Sequence, residues 1–413
     1  MKNKTKVVLF ILFLSAFIMA ISFGGQKAKW KGTIEEEDGV KVIKNPGKPL
    51  YGEIELKLEV DLSIGGEDVD EIYMFRRVSD IEVDEEGNIY VLDSIECRIQ
   101  KYDKDGKYLK TIGRKGEGPG EFQRASSMYF DSEGKLYVNE FRKIHIFEKN
   151  GVFEKTIIPK SPLSNFGVTK KGSIFGHSYT FTEEGATMDI MIMDSEGKRT
   201  STVANFPEST ASVQVGRGVL MTTPPYSPGL YFCPLNNESG IYGYSAEYKL
   251  FFIKSSGEIV YRIDKDEKRQ RTSKKEESDY VKERAERQQT RGGQLSEGDL
   301  RKLYKFAKYK PFFTQIINDD EGHLFLAKPK SVLKEEIDTY FDVFSIEGHY
   351  LYKIKIHEVK LHIIKKGCLY TYRQDEDTGY YKIERYKIKN WSQIKKEPNT
   401  NLVQADSPKA MAS

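Results

Sequence analysis

Asp84-Glu85-Glu86-Gly87-Asn88-Ile89-Tyr90-Val91-Leu92-Asp93 decides how this chain is read. A polar turn ends in glycine, and one residue later an apolar run begins. Glycine takes positive φ at little cost, which a tight hairpin requires. The pattern returns as DSEGKLYVNE at 131–140 and DDEGHLFLAK at 319–328. Weaker copies read KKGSIFGHS from Lys170, ESGIYGYS from Glu238 and KKGCLYTYR from Lys365. The anchor glycines, Gly87, Gly134, Gly172, Gly240, Gly322 and Gly367, lie 47, 38, 68, 82 and 45 residues apart. A second glycine turn follows five of them, at Gly106, Gly151, Gly197, Gly257 and Gly348, each between two strand-like runs. A short apolar run such as Val78 to Val83 precedes the anchor. The repeating unit is therefore four short strands joined by two hairpins, and it occurs six times.

Four-stranded units at this spacing predict an all-β chain, a six-bladed β-propeller of antiparallel blades. The sixth unit lacks a clear fourth strand. Glu53 to Leu62 (EIELKLEVDL) alternates apolar and polar residues and has no anchor turn of its own. It is expected to run beside the last strand, Tyr381 to Ile388, and so join the two chain ends. The resulting division is an address segment at 1–22, a linker at 23–52, the ring at 53–391 and a disordered tail at 392–413. A charged insertion at 264–310 separates blades four and five. In it, 17 of the 26 residues from Asp264 to Gln289 are charged. Its second half places Leu300, Leu303, Tyr304 and Ala307 at helical spacing, with Ser296 and Asp299 suited to the N-cap, which predicts a short helix. A lid or docking arm and a solvated helix on the rim both fit this composition.

Composition excludes several classes. Of 413 residues 12% are aromatic, too many for a disordered chain, and 65 basic against 62 acidic residues leave a net charge of +3. That balance gives no bulk attraction to nucleic acid. Cys97, Cys233 and Cys368 are too few and scattered for a disulfide framework or a cysteine zinc site, and buried inert thiols are expected. Lys2, Lys4 and Lys6 precede an apolar run from Val7 to Ile21, and Ala20-Ile21-Ser22 offers small residues for cleavage. The expectation is export to the periplasm or cell exterior, with an uncleaved signal anchor as the alternative.

The stretch IGRKGEGPGEF at 112–122, followed by a strand, DSEGKLYV and a KIHIFEKNG hairpin, resembles one whole repeat of the NHL propellers. The chain looks like the exported six-bladed propellers related to that family, most clearly in blades one and two. The resemblance implies a ligand-binding or scaffold domain, with a minority of lyases and hydrolases. Read by itself, Gly116-Glu117-Gly118-Pro119-Gly120 has no Gly-Lys-Ser/Thr after it, and Pro119 removes a donor. A tight crossing between blades fits it better than a phosphate cradle.

Up-and-down strands put both sets of glycine turns at one end of the ring. The connections from second to third strands and the blade-to-blade linkers lie at the other end, where function on loops is expected. That face offers Arg77, Asp93, Arg114, Arg124, Glu140, Arg142, His177, Tyr179, Tyr244, Lys328 and Arg373 as candidate binding residues. No catalytic set emerges. There is no HExxH or Gly-x-Ser-x-Gly, and Asp103-Lys104-Asp105-Gly106 lacks the glutamate of a calcium loop, Arg114 standing there instead. His177 is the one histidine on this face, as a packing residue or a general base.

The expectation is an exported, non-catalytic scaffold, without cofactor or metal, that binds a peptide, glycan or protein partner. It involves no nucleic acid, and a membrane only if the N-terminal helix stays uncleaved. The alternatives are a lyase or hydrolase using a metal in the central channel, and a tethered sensory or assembly module.

Overall fold

The computed structural model describes residues 29–394 except 67–68, 141, 183–184, 216–217, 237, 291–294 and 334–335. The address segment 1–22 and the tail from 395 onward lie outside the described residues. Six antiparallel sheets surround an axis. Blade 1 comprises Val78–Val83, Ile89–Asp93, Arg98–Tyr102 and Tyr108–Ile112. Blade 2 comprises Ser127–Phe130, Leu136–Glu140, Lys143–Phe147 and Phe153–Ile157. Blade 3 comprises Leu163–Val168, Ile174–Thr182, Gly185–Met193 and Arg199–Pro207. Blade 4 comprises Leu230–Asn236, Ser239–Tyr244, Lys249–Lys254 and Ile259–Lys265. Blade 5 comprises Gln315–Asn318, His323–Ala327, Thr339–Ser345 and Tyr350–Ile356. Blade 6 takes Ile363–Lys365, Cys368–Gln374 and Tyr381–Ile388 from the C-terminal region, and Leu58–Gly65 from the N-terminal region.

First strands of successive blades touch all the way round, blade 6 returning to blade 1. The core is divided accordingly into one apolar cluster per blade interface. Leu92, Ile99 and Ile112 meet Phe122, Met128 and Val138 between blades 1 and 2. Ile64, Tyr370 and Ile383 meet Ile81, Val91 and Tyr102 across the seam between blades 6 and 1. Burial of these side chains holds the ring closed, since no blade covers both of its own faces.

The repeated Asp-x-x-Gly has a physical cause. Asp84 Oδ1 accepts the Glu86 and Asn88 backbone N–H groups at 3.0 and 2.8 Å, while Gly87 N–H donates to Asp84 O. Asp131 Oδ1 and Asp319 Oδ1 accept the equivalent pair of N–H groups in blades 2 and 5. Gly87 needs its φ of +88° to close that turn. Gly240 is an exception: it lies inside the second strand of blade 4, opposite Pro234, and is no turn glycine. A Cβ there would meet the Phe232 ring at 2.6 Å, so packing explains this glycine.

The N-terminal region forms a belt on the outer edges of three blades, which corrects two expectations. Of the expected linker at 23–52, residues 23–28 lie outside the described residues and the rest is no linker: Thr33–Glu37 and Val40–Asn45 form a hairpin whose second strand runs parallel to the outer strand of blade 4. Glu53 to Leu62 is not one strand. Glu53–Glu55 pairs in parallel with Lys353–Lys355 of blade 5, and only Leu58–Gly65 closes blade 6, antiparallel to Lys382–Ile388. Unbroken alternation hides the break, which falls where Asn390 takes over the backbone. Its Oδ1 accepts Lys57 N–H and its Nδ2 donates to Glu55 O, each at 2.9 Å. Asn45 clamps the belt in the same way at the preceding blade, donating to Gly348 O and accepting Tyr350 N–H and Trp30 Nε1–H.

The expected tail also starts too early. Trp391–Gln393 form a 3₁₀ turn, Trp391 packs edge-on against His323, and Ile394 is buried between blades 5 and 6.

Candidate binding face

Among the described residues, the large additions within the connections between ring strands lie at the end expected to be functional. A hairpin of Ala211–Val215 and Gly218–Thr222 interrupts the linker from blade 3 to blade 4. Two helices, α1 (Lys274–Thr290) and α2 (Glu297–Leu303), interrupt the next linker. Ser296 and Asp299 form the expected capping box of α2, whose helix stops at Leu303, before Tyr304 and Ala307. Helix α1 has no amphipathic signature in the sequence, because Tyr280 and Val281 are its buried residues among mostly charged neighbours. The additions share a small core of Tyr226, Tyr280 and Phe306 with Val332 and Leu333 from the long blade 5 connection. Tyr226 OH bonds the Glu276 carboxylate and accepts Val332 N–H, so the pieces are tied as well as packed.

The structure sorts the eleven candidate residues into four kinds. Asp93 and Glu140 end the second strands of blades 1 and 2 and are buried. Asp93 accepts Arg76 and Arg77 N–H, and Glu140 Oε1 accepts Gln123 and Arg124 N–H. They hold the incoming linkers and are supports, not contact groups. Glu140 also holds His145 Nε2 at 3.0 Å. Arg77, Arg124 and Arg142 are exposed around blades 1 and 2. Arg114 is bound to Glu121 at 2.7 Å and Arg373 to Glu384 at 2.8 Å. Glu121 Oε2 also takes Gly118 N–H, and Phe122 is wholly buried below the loop. The Gly-rich stretch is thus folded around its own carboxylate and plug, as a blade crossing.

Lys328 joins an ion network between blades 4 and 5. Asp342, 1% exposed, accepts Lys265 Nζ at 2.8 Å and the Tyr248 and Tyr350 hydroxyls at 2.5 Å each. Glu267 binds both Lys265 and Lys328 at 2.7 Å. The lysines hold the Asp342 carboxyl below its ordinary range against the opposing effect of burial. Each charge has an opposite partner, which is what burial of such a cluster demands. Sequence spacing carries no sign of it, as its members come from positions 248 to 350.

His177, Tyr179 and Tyr244 converge. Blade 3 carries nine residues in each of its last three strands against five in blade 1, so its sheet projects at the end opposite the glycine turns. Alternate positions of its second strand set His177, Tyr179 and Phe181 in a row, ring centroids 4.9 and 6.4 Å apart. Tyr179 pairs across to Met188, and Met188 to Phe206. Phe206 lies flat on Tyr244 of blade 4 at 4.5 Å and 17°. Phe181 is 62% exposed, while Tyr179, Phe206 and Tyr244 are half-buried. Burial raises the Tyr179 and Tyr244 phenols above their ordinary range, so both stay neutral donor–acceptors. Glu208 and Arg269 act on them electrostatically. The result is an aromatic shelf with hydroxyls. Phe181 and Phe206 escape the sequence reading because nothing at that level shows that blade 3 is longer than its neighbours.

His177 itself is 7% exposed. Its Nδ1 meets Ser164 Oγ at 2.7 Å, and Nε2 is buried without a hydrogen-bond partner. Burial lowers its pKa to about 4, against the pull of Asp189. It is a neutral ring beneath the shelf.

Inside the channel, first strands are cross-linked at the ring seam. Asp80 Oδ2 accepts Met128 N–H of blade 2 at 2.6 Å, and Oδ1 faces His362 Nε2 of blade 6 at 3.0 Å. Glu82, two residues along, has its pKa raised to about 8, by burial first and then by the Asp80 charge. Cys233 is pushed up to about 12 by burial and stands as an inert thiol. Among the described residues no group of three or more His, Cys, Asp or Glu is placed to hold a metal ion.

Comparison with known proteins follows the fold. A family model described as a 6-bladed beta-propeller, DUF5128, matches residues 70–353. No curated protein matches the chain. A putative exported protein from Bacteroides fragilis NCTC 9343 superposes with a TM-score of 0.49 at 13% identity, over 83% of this chain and 99% of that one. A member of the duf4221 family from Bacteroides vulgatus ATCC 8482 gives 0.44 at 10% identity, over 80% and 98%. Regucalcin from Agrobacterium tumefaciens, a calcium-binding protein, gives 0.38 at 10% identity, over 82% and 96%. No helix among the described residues is long and apolar enough to cross a membrane.

Proposed function

The chain belongs to the six-bladed β-propeller family DUF5128, and on that footing we propose that it is an exported, non-catalytic module that binds a neutral glycan on the shelf of blades 3 and 4. The stacked Phe206–Tyr244 pair, continued by Tyr179 and Phe181, carries the reading. Flat, half-exposed rings match the apolar C–H faces of sugar rings, and neutral phenols beside them can exchange hydrogen bonds with sugar hydroxyls. Such partly exposed aromatics need a reason to stay uncovered. The export half rests on Lys2, Lys4 and Lys6 ahead of the apolar run from Val7 to Ile21.

Calorimetry with a panel of neutral oligosaccharides tests the binding half. Phe181→Ala and Tyr244→Ala are each expected to weaken the best binder about tenfold, as aromatic contacts of about 1.5 kcal/mol imply. A panel with no binder below millimolar, or a binder indifferent to both variants, overturns it. Mature protein starting near Phe23 outside the cytoplasm supports export, and full-length protein in the cytosol refutes it.

A further inference from the structure

We propose a second site at the same end of the ring: a pocket for an oxyanion, lined by Arg271, Lys274 and Lys308. These side chains, with Thr272, Glu277, Phe306 and Ala307, surround a cavity of about 290 Å³ at the base of the helical insertion. The volume suits a sulfate, a phosphate or the carboxylate end of a sugar acid.

Backbone pairing fixes the two segments that carry Arg271, Thr272 and Lys308. Thr272 N–H donates to Lys308 O and Lys310 N–H to Gln270 O, and Arg271 bridges to Tyr309. These bonds hold the strand that enters the insertion against the strand that leaves it. Phe306 is buried in the insertion's own core and fixes the third wall.

Charge points to the ligand. From Asp264 to Lys310 there are 15 basic and 10 acidic residues, a net charge of +5 in a chain of +3 overall. From Leu300 to Lys310 the charged residues are Arg301, Lys302, Lys305, Lys308 and Lys310, all positive. Several acids of the insertion are spent elsewhere: Glu276 on Lys310, Asp279 on Lys275, Glu283 on Arg287 and Glu297 on Arg301. Among the described residues Arg271, Lys274 and Lys308 have no carboxylate within ion-pair distance, although Glu277 shares their cavity. The three cations are exposed and outnumber the one carboxylate of the cavity, and an oxyanion would meet them through charge-assisted hydrogen bonds. Helix α1 adds little, because Ser273 Oγ already accepts Glu276 N–H at its start.

A second observation is independent of charge. The Thr272 hydroxyl oxygen, on the cavity wall, is buried and has no hydrogen-bond partner. Buried hydroxyls are nearly always satisfied, and a bound oxyanion would accept from this one.

The test is calorimetry of the whole mature chain with sodium sulfate, sodium phosphate and sodium galacturonate, at constant ionic strength against chloride. Saturable binding is expected for at least one. Sulfate or phosphate alone assigns the site to an ester group, and galacturonate alone assigns it to an acidic sugar. Arg271→Gln with Lys308→Gln should lower the affinity at least about tenfold. Thr272→Val, which leaves the charge unchanged, should lower it about threefold. Lys198→Gln, at the glycine-turn end, should change nothing. Absence of saturable binding below about 10 mM for all three anions overturns the proposal. So does equal loss from Lys198→Gln, or wild-type affinity in both pocket variants. Neutral-glycan binding on the shelf is read separately, so either site can fail alone.

Discussion

Replacing Asp80 by alanine should loosen the ring at its seam. The carboxylate is shared by three blades: Oδ2 takes Met128 N–H at 2.6 Å, while Oδ1 takes Ile81 N–H at 3.0 Å and faces His362 Nε2 at 3.0 Å. Met128 is 5% exposed, so its N–H would be left buried and unpaired, at a cost of about 2 kcal/mol. His362 is half-buried, and water replaces some of what it loses, leaving about 1 kcal/mol. Against this, the charge that helps to keep Glu82 protonated is gone, which returns about 0.5 kcal/mol. The net expectation is about 2–3 kcal/mol of destabilisation for Asp80→Ala. Asp80→Asn keeps one acceptor oxygen and should lose about half as much. Urea unfolding at pH 7, followed by circular dichroism and by fluorescence of Trp30 and Trp391, measures it. A double-mutant cycle with His362→Ala should show about 1 kcal/mol of coupling across the seam. A loss below about 0.5 kcal/mol in Asp80→Ala, or no coupling with His362, refutes the account of the seam.

Glu82 titrates in the folded chain near pH 8, above its unfolded value, so its contribution is complete below about pH 4.5 and is lost as pH rises towards 8. Glu82→Gln should abolish that fall, leaving the variant about 2 kcal/mol better than wild type at pH 9 relative to pH 5, after allowance for channel water; parallel pH curves count against it. His177 is shifted the other way, to about 4, so stability present above pH 6.5 is lost as pH falls towards 4. His177→Leu should remove a few kcal/mol of that acid dependence, and an unchanged acid limb in urea titrations between pH 7 and 4 contradicts it. Asn45→Ala should cost about 3–4 kcal/mol by orphaning Tyr350 N–H and the bond to Gly348 O, with a red shift of Trp30 emission as the belt detaches. An unshifted Trp30 spectrum would show the belt to be held by its strand pairing alone.

Much of the ring was legible because its turns have strict chemistry. An Asx turn closed by a positive-φ glycine leaves Asp84, Asp131 and Asp319 visible in the sequence, together with the strands on either side. The belt was only half legible. Alternation from Ile54 to Val60 fixes extended backbone but not the partner, and the hand-over at Asn390 is a contact more than 330 residues distant. In the hairpin of residues 33–45 one strand, TIEEE, is acidic and exposed, and the strand that pairs with blade 4, VKVIKN, buries Val42 and Ile43, an apolar run too short to name its partner. For the proposed site, strand direction placed the second-to-third-strand connections at one end of the ring, and Tyr179 and Tyr244 with them. Burial could not be read. Asp93 and Glu140 look like surface acids in sequence, yet they hold backbone N–H groups inside the linkers.

The two ends of the ring differ for a reason that connects turn chemistry to function. At the glycine-turn end, most hairpins are closed by a side-chain oxygen, of Asp84, Asp103, Asp131, Asp194 and Asp319 or of Thr169 and Ser345, together with a positive-φ glycine and short spacing, so an inserted residue breaks the bonds that close them. At the other end, linkers are held at single points, such as Asp93 on Arg76 and Arg77 or Ser178 on Pro162 O. Chain beyond such a point is free to lengthen, since loop closure costs only about 0.6 kcal/mol per doubling. The hairpin of residues 211–222, the helices α1 and α2, and the long blade 5 connection have all entered there. Once side by side they bury Tyr226, Tyr280 and Phe306 and become rigid enough to hold a pocket, while the elongated blade 3 beside them raises its aromatic row. Both proposed sites therefore stand on the end that the repeat leaves unconstrained, over the sector of blades 3 to 5, and the exposed arginines of blades 1 and 2 face a barer surface.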